Sequence, residues 1–207
     1  MKNFMSSLST SKAALIVGIA FITSVLIVSI VDDLLLANFV VPGDTAALSK
    51  DIEVNSTIFG FAVVGYLLVL ALDSIIGLAL YVVLKPANKK LALLTAVLRL
   101  LYVFILVMGL FALVLQVVDA YGYASIKLFG YVIFALHIFF LGYTVLKSGY
   151  IPKLIGTLLV IASFTYIVFF VDLGLSGMIG LITMLIMAIA EFSLSVWLLL
   201  RRKTLPE

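Results

Sequence analysis

Six apolar runs leave this chain almost no choice of solvent. They are Ala13–Val31, Ile58–Leu84, Leu91–Val118, Ser125–Leu146, Leu154–Val171 and Met178–Leu200. A helix needs about 20 apolar residues to cross the roughly 30 Å hydrocarbon core, and each run has about that length. Strands are not an alternative. An open sheet edge cannot satisfy its amides in lipid, and no alternating pattern of about ten residues occurs. Of the 207 residues, 65% are hydrophobic and 11% charged. Soluble domains run near about 45–50% apolar and about 25% charged. The fold class that follows is all-α: one polytopic membrane domain over residues 1–207 with six transmembrane helices.

The connections carry the punctuation and the charge. Pro42-Gly43-Asp44 breaks the first, Lys85-Pro86-Ala87-Asn88-Lys89-Lys90 forms a tight second, and Pro152 closes the fourth. Lys2, Lys12, Lys85, Lys89, Lys90, Lys147, Lys153, Arg201, Arg202 and Lys203 fall on one side; the other holds Lys50 and Lys127 with seven Asp and Glu residues. Cytoplasmic loops keep the excess of Lys and Arg, so both termini are expected inside. This bias accounts for the basic pI of 9.1, so membrane lipids rather than nucleic acid are the expected partner. The first run is longer than the apolar core of a signal peptide, lacks a small-residue cleavage site and is expected to end at Asp32-Asp33. In the first outward loop, Asp44 could cap a short interfacial helix through Ala46, Leu48, Ile52 and Val54, with an irregular loop as the alternative. Asn55-Ser56-Thr57 matches a glycosylation sequon, meaningful only in a secretory host.

Four residues are out of place in hydrocarbon: Asp73, Arg99, His137 and Glu191. A charge at mid-bilayer costs about 2.5–3.5 kcal/mol on insertion scales, so such groups face the bundle interior and pair. Asp73 lies twelve residues before Lys85, Arg99 nine after Lys90, His137 ten before Lys147 and Glu191 ten before Arg201. At about 1.5 Å per residue all four sit roughly 13–18 Å from one boundary. They share one plane on four helices. Helical spacing adds Tyr66 and Tyr81 to the Asp73 stripe, Thr95 and Tyr102 to that of Arg99, Thr144 to that of His137 and Ser195 to that of Glu191. Two acids and one Arg do not pair one to one. Either a carboxyl is protonated, or His137 is cationic, or a bound ion or ligand balances the site. A purely structural network remains the competing reading. Without cysteine and with one histidine, disulfides, thiolate metal sites and multi-histidine centres are excluded, and no metal or cofactor is expected.

Tyr81-Val82-Val83-Leu84-Lys85, Tyr143-Thr144-Val145-Leu146-Lys147 and Trp197-Leu198-Leu199-Leu200-Arg201 share a plan, each preceded by an ionisable residue. Three pseudo-repeated hairpins would produce this. So would the ordinary tendency of an inward-running helix to finish with an aromatic and a base.

The stretch from Asp73 through Leu78–Lys89 to Leu98-Arg99-Leu100 resembles a prokaryotic membrane family catalogued as domain of unknown function 4386. So do Leu136-His137, Leu141-Gly142-Tyr143, Lys147-Ser148-Gly149, the closing Glu191 with Trp197-Leu198-Leu199, and Val41–Asp44. The resemblance implies a six-helix protein of the bacterial or archaeal plasma (inner) membrane without an assigned activity, and a shared buried site at the four ionisable residues. Three functions then compete. The cluster could bind or move a small amphipathic solute, ion or proton, with a homodimer expected of so small a transporter. It could serve an intramembrane enzyme acting on a lipid or isoprenoid, with His137 and a carboxylate as acid and base and Arg99 holding an anionic group. Or the chain could be a structural or accessory subunit of a larger membrane complex.

Overall fold

The computed structural model describes residues 8–39, 52–118, 120–170 and 177–207. Six long helices carry the described chain: α1 Thr10–Phe39, α2 Ser56–Leu84, α3 Lys89–Val114, α4 Ala120–Ser148, α5 Lys153–Phe170 and α6 Gly177–Arg201, followed by a 3-10 turn at Arg202–Thr204. Among the described residues there is no strand. Five of these helices contain segments long and apolar enough to cross a membrane, and α5 supplies a shorter apolar one. The outer surface agrees with that solvent. Phe61, Val64, Phe104, Phe129 and Phe164 all stand largely exposed, a distribution that water would penalise and lipid does not. The ionisable side chains Asp73, Arg99, Lys127, His137 and Glu191 are buried in the interior.

The helix ends follow from local chemistry. Ser9 Oγ accepts the Lys12 amide at 3.3 Å, ahead of the first turn of α1. Asn88 caps α3, its side chain accepting from the amides of Lys90 at 3.0 Å and Leu91 at 3.1 Å. With Pro86 unable to continue α2, the chain reverses in a few residues and α2 and α3 become antiparallel neighbours. Gly149 ends α4 in the left-handed region at φ 73°, where a Cβ would be strained. Beside it the Tyr150 hydroxyl donates to the Val83 carbonyl at 2.7 Å, tying the α4–α5 connection to the end of α2. Partial burial pushes the Tyr150 phenol up to about 12, against the opposing pull of the Ala87 backbone.

Each helix packs against its neighbours in sequence, and α1 closes onto α6. The result is a ring of six antiparallel helices, with α2, α4 and α6 running toward the end where the described chain begins at Leu8 and finishes at Glu207, the end of the chain ends. The 3-10 turn after α6 packs on α1 there. At the α4–α5 crossing backbone meets backbone. A Cβ on Gly142 would stand 2.8 Å from the Gly156 carbonyl oxygen, and one on Gly156 would stand 3.0 Å from that of Gly142. Small residues let the two backbones touch, as in other membrane helix pairs.

Two boundaries differ from expectation. The apolar span of α1 ends at Val31, just ahead of Asp32-Asp33, while the helix itself continues to Phe39 through Leu34-Leu35-Leu36-Ala37, which are good helix formers. Helix α4 begins at Ala120 rather than at Ser125, and Lys127, counted from sequence on the outward side, is buried within it. Asp44, Ala46 and Leu48 lie outside the described residues; Ile52, Glu53 and Val54 are helical.

Candidate functional site

The ionisable residues of four helices meet on the axis of the ring. Arg99 of α3 donates from Nη2 to Asp73 Oδ1 of α2 at 2.5 Å. Its Nη1 lies 3.2 Å from His137 Nε2 of α4. The other ring nitrogen, His137 Nδ1, lies 2.8 Å from the Thr95 carbonyl oxygen. A guanidinium can only donate and a carbonyl can only accept. The imidazole between them therefore carries its proton on Nδ1 and offers a lone pair at Nε2, which makes it neutral. The Phe134 ring flanks the guanidinium, with Arg99 Cζ 5.2 Å from its centroid. Gly77, one turn beyond Asp73, leaves room for the aliphatic stem of Arg99, whose Cβ and Cδ would each stand 3.4 Å from a Cβ added there.

Glu191 of α6 completes the cluster through a different partner. Tyr166 of α5 donates its hydroxyl to Glu191 Oε1. Every helix from α2 to α6 thus contributes at least one polar side chain, while α1 contributes the apolar wall of Val17 and Phe21. Asp73, Arg99, His137 and Glu191 are buried, and Tyr166 is half-buried. Arg99 Nε is the one buried side-chain nitrogen or oxygen among the described residues without a hydrogen-bond partner. Arg99, Glu191 and Ser195 also line a cavity of about 10 Å³, the scale of a single water molecule. Among the described residues no group of three His, Asp or Glu is placed to hold a metal ion.

The chain belongs to the family described as "Domain of unknown function (DUF4386)". The family matches residues 16–121 and 112–201, which takes in all four ionisable positions of this DUF4386 chain. An uncharacterized protein of Archaeoglobus fulgidus is 33% identical over 155 residues, covering 71% of this chain and 87% of the relative. No solved structure matches.

The supporting residues singled out from sequence separate into two groups. Tyr102 stacks on Phe134 at 4.7 Å and Ser195 lines the cavity, so both belong to the cluster of this DUF4386 member. Thr144 is buried but turns its hydroxyl onto the Phe140 carbonyl of its own helix at 2.7 Å. Tyr81 is half-buried near the end of α2. Tyr66 belongs elsewhere: its ring centroid lies 5.5 Å from Lys127 Nζ, and that of Tyr131 lies 5.7 Å from the same nitrogen.

One member of the cluster, Tyr166, and one buried base outside it, Lys127, escaped the sequence reading. Tyr166 sits in an apolar run close to where an interfacial aromatic is ordinary, and only its pairing with Glu191 marks it. Lys127 falls inside the expected fourth run, Ser125–Leu146, but counts there only as an outward base and not as a buried partner of Tyr66 and Tyr131. Its distance of ten residues from His137, about 15 Å along a helix, was the available signal that it enters the ring from the opposite side.

Proposed function

We propose that this membrane protein takes up and releases a proton, or a small cation in its place, at Glu191 in the middle of the bilayer. The observation that carries the reading is the unequal pairing of the two carboxyls. Asp73 has the Arg99 guanidinium, and His137 spends its neutral form bridging Arg99 to Thr95. Glu191 is left with a hydroxyl donor and the edge of a cavity. A carboxylate removed from water without a paired cation is costly, so a proton or bound cation is its natural counterpart. The Asp73–Arg99–His137 group fixes the ring, and Glu191 is the exchangeable site beside a permanent positive charge. The cavity is too small for an amphipathic solute unless the helices part, which favours the smallest of the candidate cargoes. The surplus of Lys and Arg at the end holding both chain ends supports a plasma-membrane orientation with those ends cytoplasmic.

Infrared difference spectra of the purified protein, taken between alkaline and acid conditions, test the assignment. A buried carboxylic C=O band should appear on acidification in the natural chain and in Asp73→Asn, and be missing from Glu191→Gln. An unchanged band in Glu191→Gln would reject Glu191 as the exchanging group.

A further inference from the structure

Register along the helices shows an asymmetry about the cluster. Helices α2, α4 and α6 run toward the end of the ring that carries both chain ends. The cavity-lining residues on these helices, apart from Glu191 itself, all lie beyond the cluster in that direction. Ile76 and Leu80 follow Asp73 by three and seven residues, Leu141 follows His137 by four, and Leu194 and Ser195 follow Glu191 by three and four. That is about 4–10 Å toward one membrane face. On α1, which starts at the same end, Val17 faces the same space two turns from Thr10. The cavity is thus a short extension of the cluster toward the end of the chain termini.

The opposite side is built differently. Tyr102 lies three residues past Arg99 on the outgoing α3, and Phe134 three residues ahead of His137 on α4, both about 4–5 Å toward the other face. Phe134 stacks against Tyr102 at 4.7 Å and edge-on against Tyr166 at 5.1 Å, and Tyr102 continues to Tyr131 at 6.0 Å. Three helices contribute to this aromatic layer, which leaves the cluster covered by packed rings.

We infer that Glu191 exchanges its proton with the compartment facing the chain ends, by way of the cavity and past the Ser195 hydroxyl, while the Tyr102–Phe134–Tyr166 layer closes the route from the other side. Ser195 is one turn beyond Glu191 on the same face of α6, so its hydroxyl is the next polar group a water in the cavity meets. A single water between carboxyl and hydroxyl has the two polar partners that an internal water needs. The inference rests on the proton reading of Glu191, but its test does not depend on that reading.

The chain has no cysteine, so a single introduced thiol reports access without background. Ser195→Cys is close to isosteric, and Leu80→Cys provides a second position on the same cavity. The full chain, reconstituted in vesicles whose orientation is fixed by a terminal tag, is exposed to silver ion from one side at a time. Thiols that have reacted are then lost to maleimide labelling after denaturation. Both thiols should be consumed from the side of the chain ends and survive exposure from the other side. Consumption from the opposite face, from both faces or from neither would overturn the one-sided route. If the infrared band of Glu191 fails to titrate while the labelling remains one-sided, the route stands and the proton assignment falls, so the two ideas fail separately.

Discussion

Arg99 is the residue on which the interior depends, because it cannot shed its charge whereas each acid and the histidine can. Asp73 is the only carboxylate within ion-pair distance of it among the described residues, as expected for residues on helices joined by a short turn. Asp73→Asn leaves the guanidinium buried among neutral partners, and breaking such a pair costs about 3–5 kcal/mol. Glu191→Gln keeps a carbonyl oxygen for the Tyr166 hydroxyl, so its cost is that of exchanging one hydrogen bond for another, about 1 kcal/mol. Arg99→Met falls between them, since the carboxyls left behind can take up protons. Thermal melts in detergent should rank Asp73→Asn as the most damaging of the three; if it is the mildest, the pairing is wrong. The four ionisable residues were legible in the sequence because charge in an apolar run is rare and their distances from the basic boundary agreed. Tyr166 was not, because a tyrosine near a helix end is also what an interface wants. Thr95 was placed on the right face by spacing, but spacing could not show that its carbonyl rather than its hydroxyl meets His137.

At the scale of elements, apolar runs and prolines located the helices but not their crossings. The α4–α5 contact depends on Gly142 and Gly156, two of 14 glycines in the chain. Nothing in their immediate neighbours distinguishes them from Gly60 or Gly180, where an added Cβ would meet nothing within 4 Å. Only the approach of two backbones gives them meaning. Gly142→Val places branched carbon where the Gly156 carbonyl and the Val160 amide now lie. The helices must separate, at a cost of about 1–3 kcal/mol for overpacking. Because α4 carries His137 and α5 carries Tyr166, separation should also loosen the site. Gly60→Val, on the open face, serves as the control. The expected outcome is a lower melting temperature for Gly142→Val and little change for Gly60→Val; equal melts would show that the crossing tolerates a side chain.

At the scale of the whole molecule, the ring makes the distribution of basic residues a geometric statement. Lys85, Lys89, Lys90, Lys147, Lys153, Arg201, Arg202 and Lys203 flank the ends of α2, α4 and α6 or the starts of α3 and α5, so they form one belt at the end of the ring where both chain ends lie. In the opposite half Lys127 is buried within α4 rather than part of an exposed belt. Anionic headgroups reward such a belt by about 1 kcal/mol per residue near the surface, and translocation disfavours carrying it across. The proposed orientation therefore rests on the charge of the ring rather than on any one loop. A thiol at position 89, at the start of α3, and one at position 116, just past its other end, report the two faces in a chain without native cysteine. In intact cells a membrane-impermeant maleimide should label Gln116→Cys and spare Lys89→Cys until the membrane is opened. The reverse pattern would turn the molecule over, and with it the compartment from which Glu191 draws its proton.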